Sequence, residues 1–388
     1  MLKRVQHDME MKKSQTGTLI HFGELSLKGK NRNVFIDQLI SNIERKTDGK
    51  ITKYRDRLFL DGGNPELLCY VYGISWYSKA IKIKKDLNEI INYVLLLVEK
   101  NLVGTKTFGV HVKRADKSFK PDSQELSSEL GKLIKDRFNL SVNLKKPDLN
   151  ISVEVAEDVF IHLNKIKGLG GMPVGNGGRI LSLLSGGIDS PVASCQMIKR
   201  GADVDFLHFH ALSSNEKVLD SKIIDLAKII ANFQGNSVLY IVSYNEFQKE
   251  IFKHKIKKGY ELVLFRRFII KFAEFLAEKE SYQAICTGDS LSQVASQTIE
   301  NIASVMCNLS IPVFQPLISM DKLEIIELSK KIGSYKTSIK KYKECCSLMS
   351  KNPKTRTKKS IISIYEEKIN FDKIVKNTYD LLYKIELT

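Results

Sequence analysis

The stretch SGGIDSPVAS (residues 185–194) follows the apolar run RILSLL and sets two glycines, an aspartate and a serine at the entrance to a helical pattern. Ile180 to Leu184 read as a short strand buried on both faces, and VASCQMIKRG reads as a helix that Gly201 ends. Ser190 is expected as the N-cap, with Pro191 in the first turn. Strand, glycine turn and helix start together form an anion site, because Gly186 and Gly187 let backbone N–H groups approach a ligand and the helix dipole favours negative charge. No lysine follows as in GxxxxGK[ST], and GxGxxG is absent, so neither a kinase-type loop nor a dinucleotide loop fits. A glycine turn standing alone would read equally as a plain connection.

A second chemistry is suggested by KYKECCSLMSKNPKTRTKK (341–359). From Lys336 to Lys359 there are nine lysines and arginines against one acid, Glu344. Neighbouring cations lower a thiol pKa, so Cys345 or Cys346 is a candidate sulfur nucleophile or carrier. The alternatives are a vicinal structural pair, or a basic tail with incidental cysteines. Cys195 and Cys286 fall inside a helix and a strand, where small buried hydrophobes are expected. The six cysteines form no CxxC, which argues against a metal–sulfur site and suits a reduced, cytoplasmic setting.

Alternating elements must hold these residues in place. After the glycine cluster GLGGMPVGNGG (168–178), read as a linker, strands and helices alternate: DVDFLHFHA, helix 216–233, SVLYIVSY, helices to Lys279, QAICTG, helix 296–307, PVFQPL and helix 321–332. That order predicts a parallel α/β sheet with right-handed crossovers, whose ligands sit at the carboxyl ends of the strands. Before the linker, residues 18–63 read as strand, helix and strand. Residues 64–166 read as helices, the strand TFGVHVKR, a helix from Ser123 to Phe138, and the strands LSVNL and LNISVEVAEDVFIHL. The 388 residues suffice for two or three domains. No apolar stretch reaches the roughly 18 residues of a membrane span, and no apolar segment follows the charged N-terminus. The net charge of +17 favours a polyanion, with RNA the first candidate and a solvated basic surface the alternative. Lys113, Arg114, Lys117, Lys120, Lys145 and Lys146 suit phosphate contacts.

SGGIDS resembles the pyrophosphate-loop signature SGGxDS of enzymes that split ATP into AMP and pyrophosphate while adenylating a substrate. Together with GELSLKGKNRNVF, VKRADKSF, KPDLNISVEV, GLGGMPVG, TGDSLSQVASQTIENI and PLISMDKLEII, it makes the chain resemble the tRNA 4-thiouridine sulfurtransferases, often described as thiamine-biosynthesis proteins. The resemblance implies a ferredoxin-like domain (1–63), a THUMP RNA-binding domain (64–167) and a Rossmann-like adenylating domain (168–388). It implies ATP-dependent transfer of persulfide sulfur to uridine at tRNA position eight. Ser185, Gly186, Gly187 and Ser190 fit the phosphate cradle, and Asp189 fits a role in holding Mg2+ or orienting phosphate. The resemblance adds adenosine contacts at Leu183, Leu184, His208, Phe209, Arg266, Gly288 and Gln297, and places the catalytic cysteine at Cys346. His208 reads equally as a buried structural histidine, and Arg266 and Arg267 are too close on one helix for both to face a nucleotide. Lys322 is a phosphate contact or a solvated first-turn lysine.

Three departures stand out. No rhodanese-like domain follows, so the expected sulfur donor is external, most simply a cysteine desulfurase, and the thiazole role in thiamine synthesis is in doubt. Gln315 stands where the family usually has arginine, removing one charge near the site. About fifteen residues precede the usual start. A homodimer is compatible with the sequence and a membrane partner is not expected. Two other readings remain: another pyrophosphate-loop ligase, which would not depend on Cys346, and a non-catalytic tRNA-binding protein, which would leave ATP intact.

Overall fold

Leu19, Ile20 and Phe22 give QTGTLIHF the apolar end of β1 (Gln15–Phe22), whose last five residues are buried. The computed structural model describes residues 14–387 except 255, 344, 346–348, 350 and 351. The chain divides at Gly171 and Met172 into two units.

In the first unit, β1 pairs antiparallel with β3 (Leu58–Asp61), and β3 with β2 (Lys50–Lys53). On its other side β1 pairs along its whole length with β4 (Ile74–Ile83). The sheet continues from β4 through β8 (Val159–His162) and β7 (Leu149–Val155) to β5 (Thr107–Arg114) and β6 (Ser141–Val142). β9 (Ile166–Lys167) also pairs with β4. The boundary read at residue 63 therefore falls inside one continuous sheet, because β4 completes the pairing of β1 and also begins that of β8. LSVNL shortens to the two-residue β6. LNISVEVAEDVFIHL is two antiparallel strands rather than one, since the chain reverses where Ala156 N–H donates to Asp158 O at 2.9 Å.

α1 (Arg32–Thr47) lies in the first half of this unit. α2 (Leu87–Glu99) and α3 (Ser123–Phe138) pack on the second half. Leu126, Leu130 and Ile134 recur every fourth residue on α3 and bury against Ile90, Val94 and the β5 and β7 valines. Asp122 and Glu125 form a capping box at its start, and Asn139 ends it in the left-handed conformation at φ 54°.

The second unit is a six-stranded sheet in the order β14-β13-β10-β11-β12-β15. β10 (Arg179–Leu183), β11 (Asp203–His210), β12 (Ser237–Ser243), β13 (Ala284–Cys286) and β14 (Val313–Phe314) run parallel, as their apolar composition implies. β15 (Tyr383–Leu387) adds an antiparallel edge that the sequence reading missed. The order reverses between β10 and β13, which is the switch point where open parallel sheets bind ligands.

The helices are α4 (Asp189–Lys199), α5 (Glu216–Leu219), α6 (Lys222–Ala231), α7 (Asn245–Lys253), α8 (Glu261–Glu280), α9 (Ile299–Val305), α10 (Lys322–Lys331), α11 (Tyr335–Ser338), α12 (Lys359–Ile369) and α13 (Phe371–Tyr379). The helix expected over 216–233 is broken into α5 and α6 because the Ser221 hydroxyl caps a new helix at Ile223 N–H. A 3-10 turn (Ala295–Gln297) likewise precedes α9, where Thr298 is the N-cap. The core joins Phe209, Phe247, Phe265, Phe268 and Phe272 with the C-terminal Phe371 and Ile374.

Candidate active site

The loop after β10 closes on itself. Ser190 Oγ accepts from Ser185 N–H at 2.8 Å and lies 3.1 Å from Ser185 Oγ, which accepts from Gly187 N–H at 3.2 Å. Ser190 is thus the second residue of α4 and not its cap; Ile188 is the N-cap position, without a side-chain cap bond. The hydroxyl expected to cap the helix instead ties the loop's two ends together. Behind it, Ser182 and Ser194 hydroxyls meet at 2.8 Å and pin strand to helix.

Gly288, just beyond β13, touches this loop. A Cβ there would lie 2.8 Å from Ser190 N, so only glycine lets the two strand ends share one crevice. Leu183, Leu184, Ser185 and Gly186 line an open cavity with Leu207, His208, Phe209, Phe265, Ile269, Tyr342 and Cys345. Its apolar walls beside the loop suit a nucleoside with its phosphates on the glycine turn. The sequence reading found Leu183 to Gly186, His208, Phe209 and Cys345 of this lining, but not the β11 residue Leu207. It missed Phe265, Ile269 and Tyr342, whose helical and loop positions carry no local signal.

His208 is buried at the end of β11. Its Nδ1 lies 2.7 Å from Leu184 O and its Nε2 2.8 Å from Tyr342 Oη. Burial pushes its pKa down to about 4, against the hydrogen bond to Leu184 O, so the ring is neutral. A neutral ring donates from Nδ1 to the carbonyl and accepts the tyrosine hydroxyl. His208 is therefore both a cavity wall and a buried, fully paired histidine.

Asp189, at the start of α4, accepts from Lys322 Nζ at 2.6 Å and from Gln293 Nε2 at 3.0 Å. Lys322 opens α10, which starts at the Asp321–Glu324 capping box, and its partly exposed side chain reaches the loop. Arg266 and Arg267 separate as their adjacency requires. Arg267 is buried against Glu366 and the Val305 and Cys307 carbonyls, whereas Arg266 donates to Ser296 O at 2.6 Å and to the Asp289 carboxylate.

Asp289 was not singled out in the sequence. Its buried carboxylate also accepts from Thr287 Oγ1 at 2.8 Å, Gln297 Nε2 at 3.1 Å and Gln315 Nε2 at 3.1 Å. Burial alone would raise its pKa, but the Arg266 charge and these three donors outweigh it and hold the carboxyl below its usual range. TGDS repeats the strand–glycine–aspartate pattern of SGGIDS, and that was the available signal. Gln315, read as a lost charge, fills a donor position on this carboxylate.

Cys345 is buried, lines the cavity and donates its S–H toward Phe209 O at 3.4 Å. Cys346 and Glu344 lie outside the described residues. Cys195 and Cys286 are fully buried; burial raises both thiols, Cys286 to about 12, which makes them inert packing residues. Among the described residues no group of three His, Cys, Asp or Glu is placed to hold a metal ion.

In the first unit the six basic residues form two groups. Lys113, Arg114, Lys117 and Lys120 cluster at and beyond the carboxyl end of β5; Arg114 is partly committed to Phe119 O. Lys145 and Lys146 sit on an Asn143-built turn beside Phe108, near the opposite end of that strand. Five residues from Phe108 to Lys113 separate them by about 17 Å.

Residues 18–78 match the family described as ThiI ferredoxin-like domain, 84–161 the THUMP domain, and 175–371 the family described as thiamine biosynthesis protein (ThiI). A probable tRNA sulfurtransferase of Bacillus velezensis is 39% identical over 370 residues, covering 92% of both chains. One from a Thermoanaerobacter strain is 37% identical, covering 92% of this chain and 97% of its own. Among solved structures, a 4-thiouridine synthetase in complex with RNA and bound ATP is similar at a TM-score of 0.88 and 34% identity, covering 96% of this chain and all of that one. Likeness at this level, over more than nine-tenths of the chain, makes it a member of the tRNA sulfurtransferase family.

Proposed function

We propose that the protein transfers sulfur to a uridine of tRNA, at position eight, through an ATP-activated 4-O-adenylyl intermediate. The observation that carries this reading is the self-closed loop Ser185–Ser190, flanked by the apolar-walled cavity on one side and the Asp189–Lys322 pair on the other. ATP is the co-substrate, with adenosine against Leu183, Leu184, His208, Phe209 and Gly288, and phosphates on Ser185, Gly186, Gly187 and Ser190. Arg266 and Gln297 border the nucleotide through Asp289. Mg2+ fits a site made of the phosphates and a single carboxylate, Asp189, since this ion keeps most of its ligands from phosphate and water. Bound there, it offsets phosphate charge.

Chemistry then follows in successive displacements. Uracil O4 attacks the α-phosphorus, pyrophosphate leaves, and the N3 proton passes to water as C4=N3 forms. Lys322 offsets charge on the phosphates as the bond breaks. A persulfide sulfur on Cys346 next attacks C4 and AMP departs, leaving C4 joined to Cys346 through an S–S bond. A second thiol then attacks the Cys346 sulfur, forming a disulfide with it and releasing C4=S with N3–H restored. The persulfide is replenished by an external cysteine desulfurase. The first unit, with its THUMP segment and divided basic groups, holds the folded RNA by its phosphates. This chemistry belongs in the cytoplasm, and no described helix is long and apolar enough to cross a membrane.

The test is nucleoside mass spectrometry of tRNA incubated with the protein, ATP, Mg2+ and a desulfurase with cysteine, alongside nucleotide analysis. The expected products are 4-thiouridine, AMP and pyrophosphate. ADP and phosphate, or a product without sulfur, would reject the reading.

A further inference from the structure

Two glutamines of the SQVASQ segment are tethered alike. Gln293 Nε2 donates to Asp189 Oδ2 at 3.0 Å, and Gln297 Nε2 donates to Asp289 Oδ1 at 3.1 Å. An ionised carboxylate only accepts, so each amide must turn its NH2 toward the aspartate and its carbonyl away. Both Oε1 atoms are shielded from solvent and accept no hydrogen bond from the described residues. Buried acceptors without a donor are uncommon, and a pair of them at one crevice points to ligand donors.

The two are anchored to different carboxylates. Gln297 stands with Arg266 around Asp289, next to Gly288, on the nucleotide side. Gln293 is anchored beside the phosphate loop, to the carboxylate that Lys322 holds from its other oxygen at 2.6 Å. Here the attacking base must approach the α-phosphorus. Phosphate oxygens only accept, so the triphosphate cannot satisfy Gln293 Oε1. Uracil can, because its N3–H donor lies beside the reacting C4=O4, whereas cytosine presents an acceptor at N3.

We propose that Gln293 Oε1 accepts the N3–H of the target uracil, making Gln293 the residue that orients the base and selects it by its donor. The inference rests on the uracil-thiolating reading above. Asp189 has a positioning part in it, since the amide cannot rotate without breaking its hydrogen bond to that carboxylate.

The experiment uses the full chain with α,β-methylene-ATP and tRNA transcripts carrying uridine or 3-methyluridine at the target position, compared by equilibrium binding. The wild-type protein should favour uridine about tenfold, the size of one hydrogen bond. Gln293→Ala should bind both transcripts equally, because the acceptor is gone and the shortened side chain leaves room for the methyl. Its affinity for ATP alone and its Tm should match the wild type. A preference retained by Gln293→Ala, or absent from the wild type, would overturn the proposal. So would a tenfold weakening of ATP binding or a raised Mg2+ requirement in Gln293→Ala, which would assign Oε1 to the nucleotide or its metal. Base discrimination by a wild-type protein that makes no 4-thiouridine would instead reject the functional reading and leave this recognition standing.

Discussion

Lys322 Nζ lies 2.6 Å from Asp189 Oδ1, joining the first turns of two helices whose residues are 133 positions apart. The pair puts a cation and a carboxylate at the mouth of the phosphate loop, so each holds the other until phosphate arrives. Asp189→Asn and Lys322→Met should each slow AMP formation about 100-fold. The double variant should be little worse than the poorer single one, because the groups act together. Release of labelled AMP under single turnover measures this, with tRNA affinity as the control that should stay within about twofold.

The Asp289 carboxylate is the second fixed point. Asp289→Asn removes the charge facing Arg266 and sets amide donors against amide donors, so unfolding should become easier by about 3–5 kcal/mol. Gln315→Leu removes one neutral donor and should cost only about 1 kcal/mol. Urea denaturation of both variants tests the ranking; equal costs would show that the ion pair is not the dominant contact.

His208 makes stability depend on pH. Its folded pKa, about 4, lies below the unfolded value, so the unfolded chain binds the extra proton first. The stability is complete above about pH 6.5 and is lost as pH falls toward 4, by about 3 kcal/mol over that window. His208→Asn should therefore show a shallower decline than the wild type when denaturant midpoints are followed from pH 7 to 4. Parallel curves would mean the ring titrates normally.

The divided basic surface predicts additive, sequence-independent losses. Lys113→Ala with Lys117→Ala, and separately Lys145→Ala with Lys146→Ala, should each weaken tRNA binding and lower the slope of log Kd against log salt by up to about 2. Filter binding across salt concentrations reads both. An unchanged slope in either double variant would remove that group from the RNA contact surface.

Sulfur transfer should separate the two adjacent cysteines. Cys346→Ser should form AMP and pyrophosphate with tRNA present yet no 4-thiouridine. Cys345→Ser, altering a buried thiol in the cavity wall, should keep partial thiolation. Normal thiolation by Cys346→Ser with desulfurase and cysteine would make free sulfide the nucleophile.

What the sequence determined by itself was local. The strand–loop–helix at 180–199, the capping box that starts α10 and the period-four apolar face of α3 are set by residues within one or two turns of each other. The alternation after residue 178 likewise compelled a parallel sheet. Tertiary structure decided what each polar group met. Ser190 looked like a cap because capping is the local use of serine before a helix, yet its hydroxyl closes the loop onto Ser185. Gln315 read as a missing charge until β14 was paired with β13, which brings its amide to Asp289. His208, Lys322 and Arg266 each had two local readings, and only burial and partners distant in the chain chose between them. Hydrogen bonding and desolvation depend on what packs nearby, and nothing in a ten-residue window specifies that.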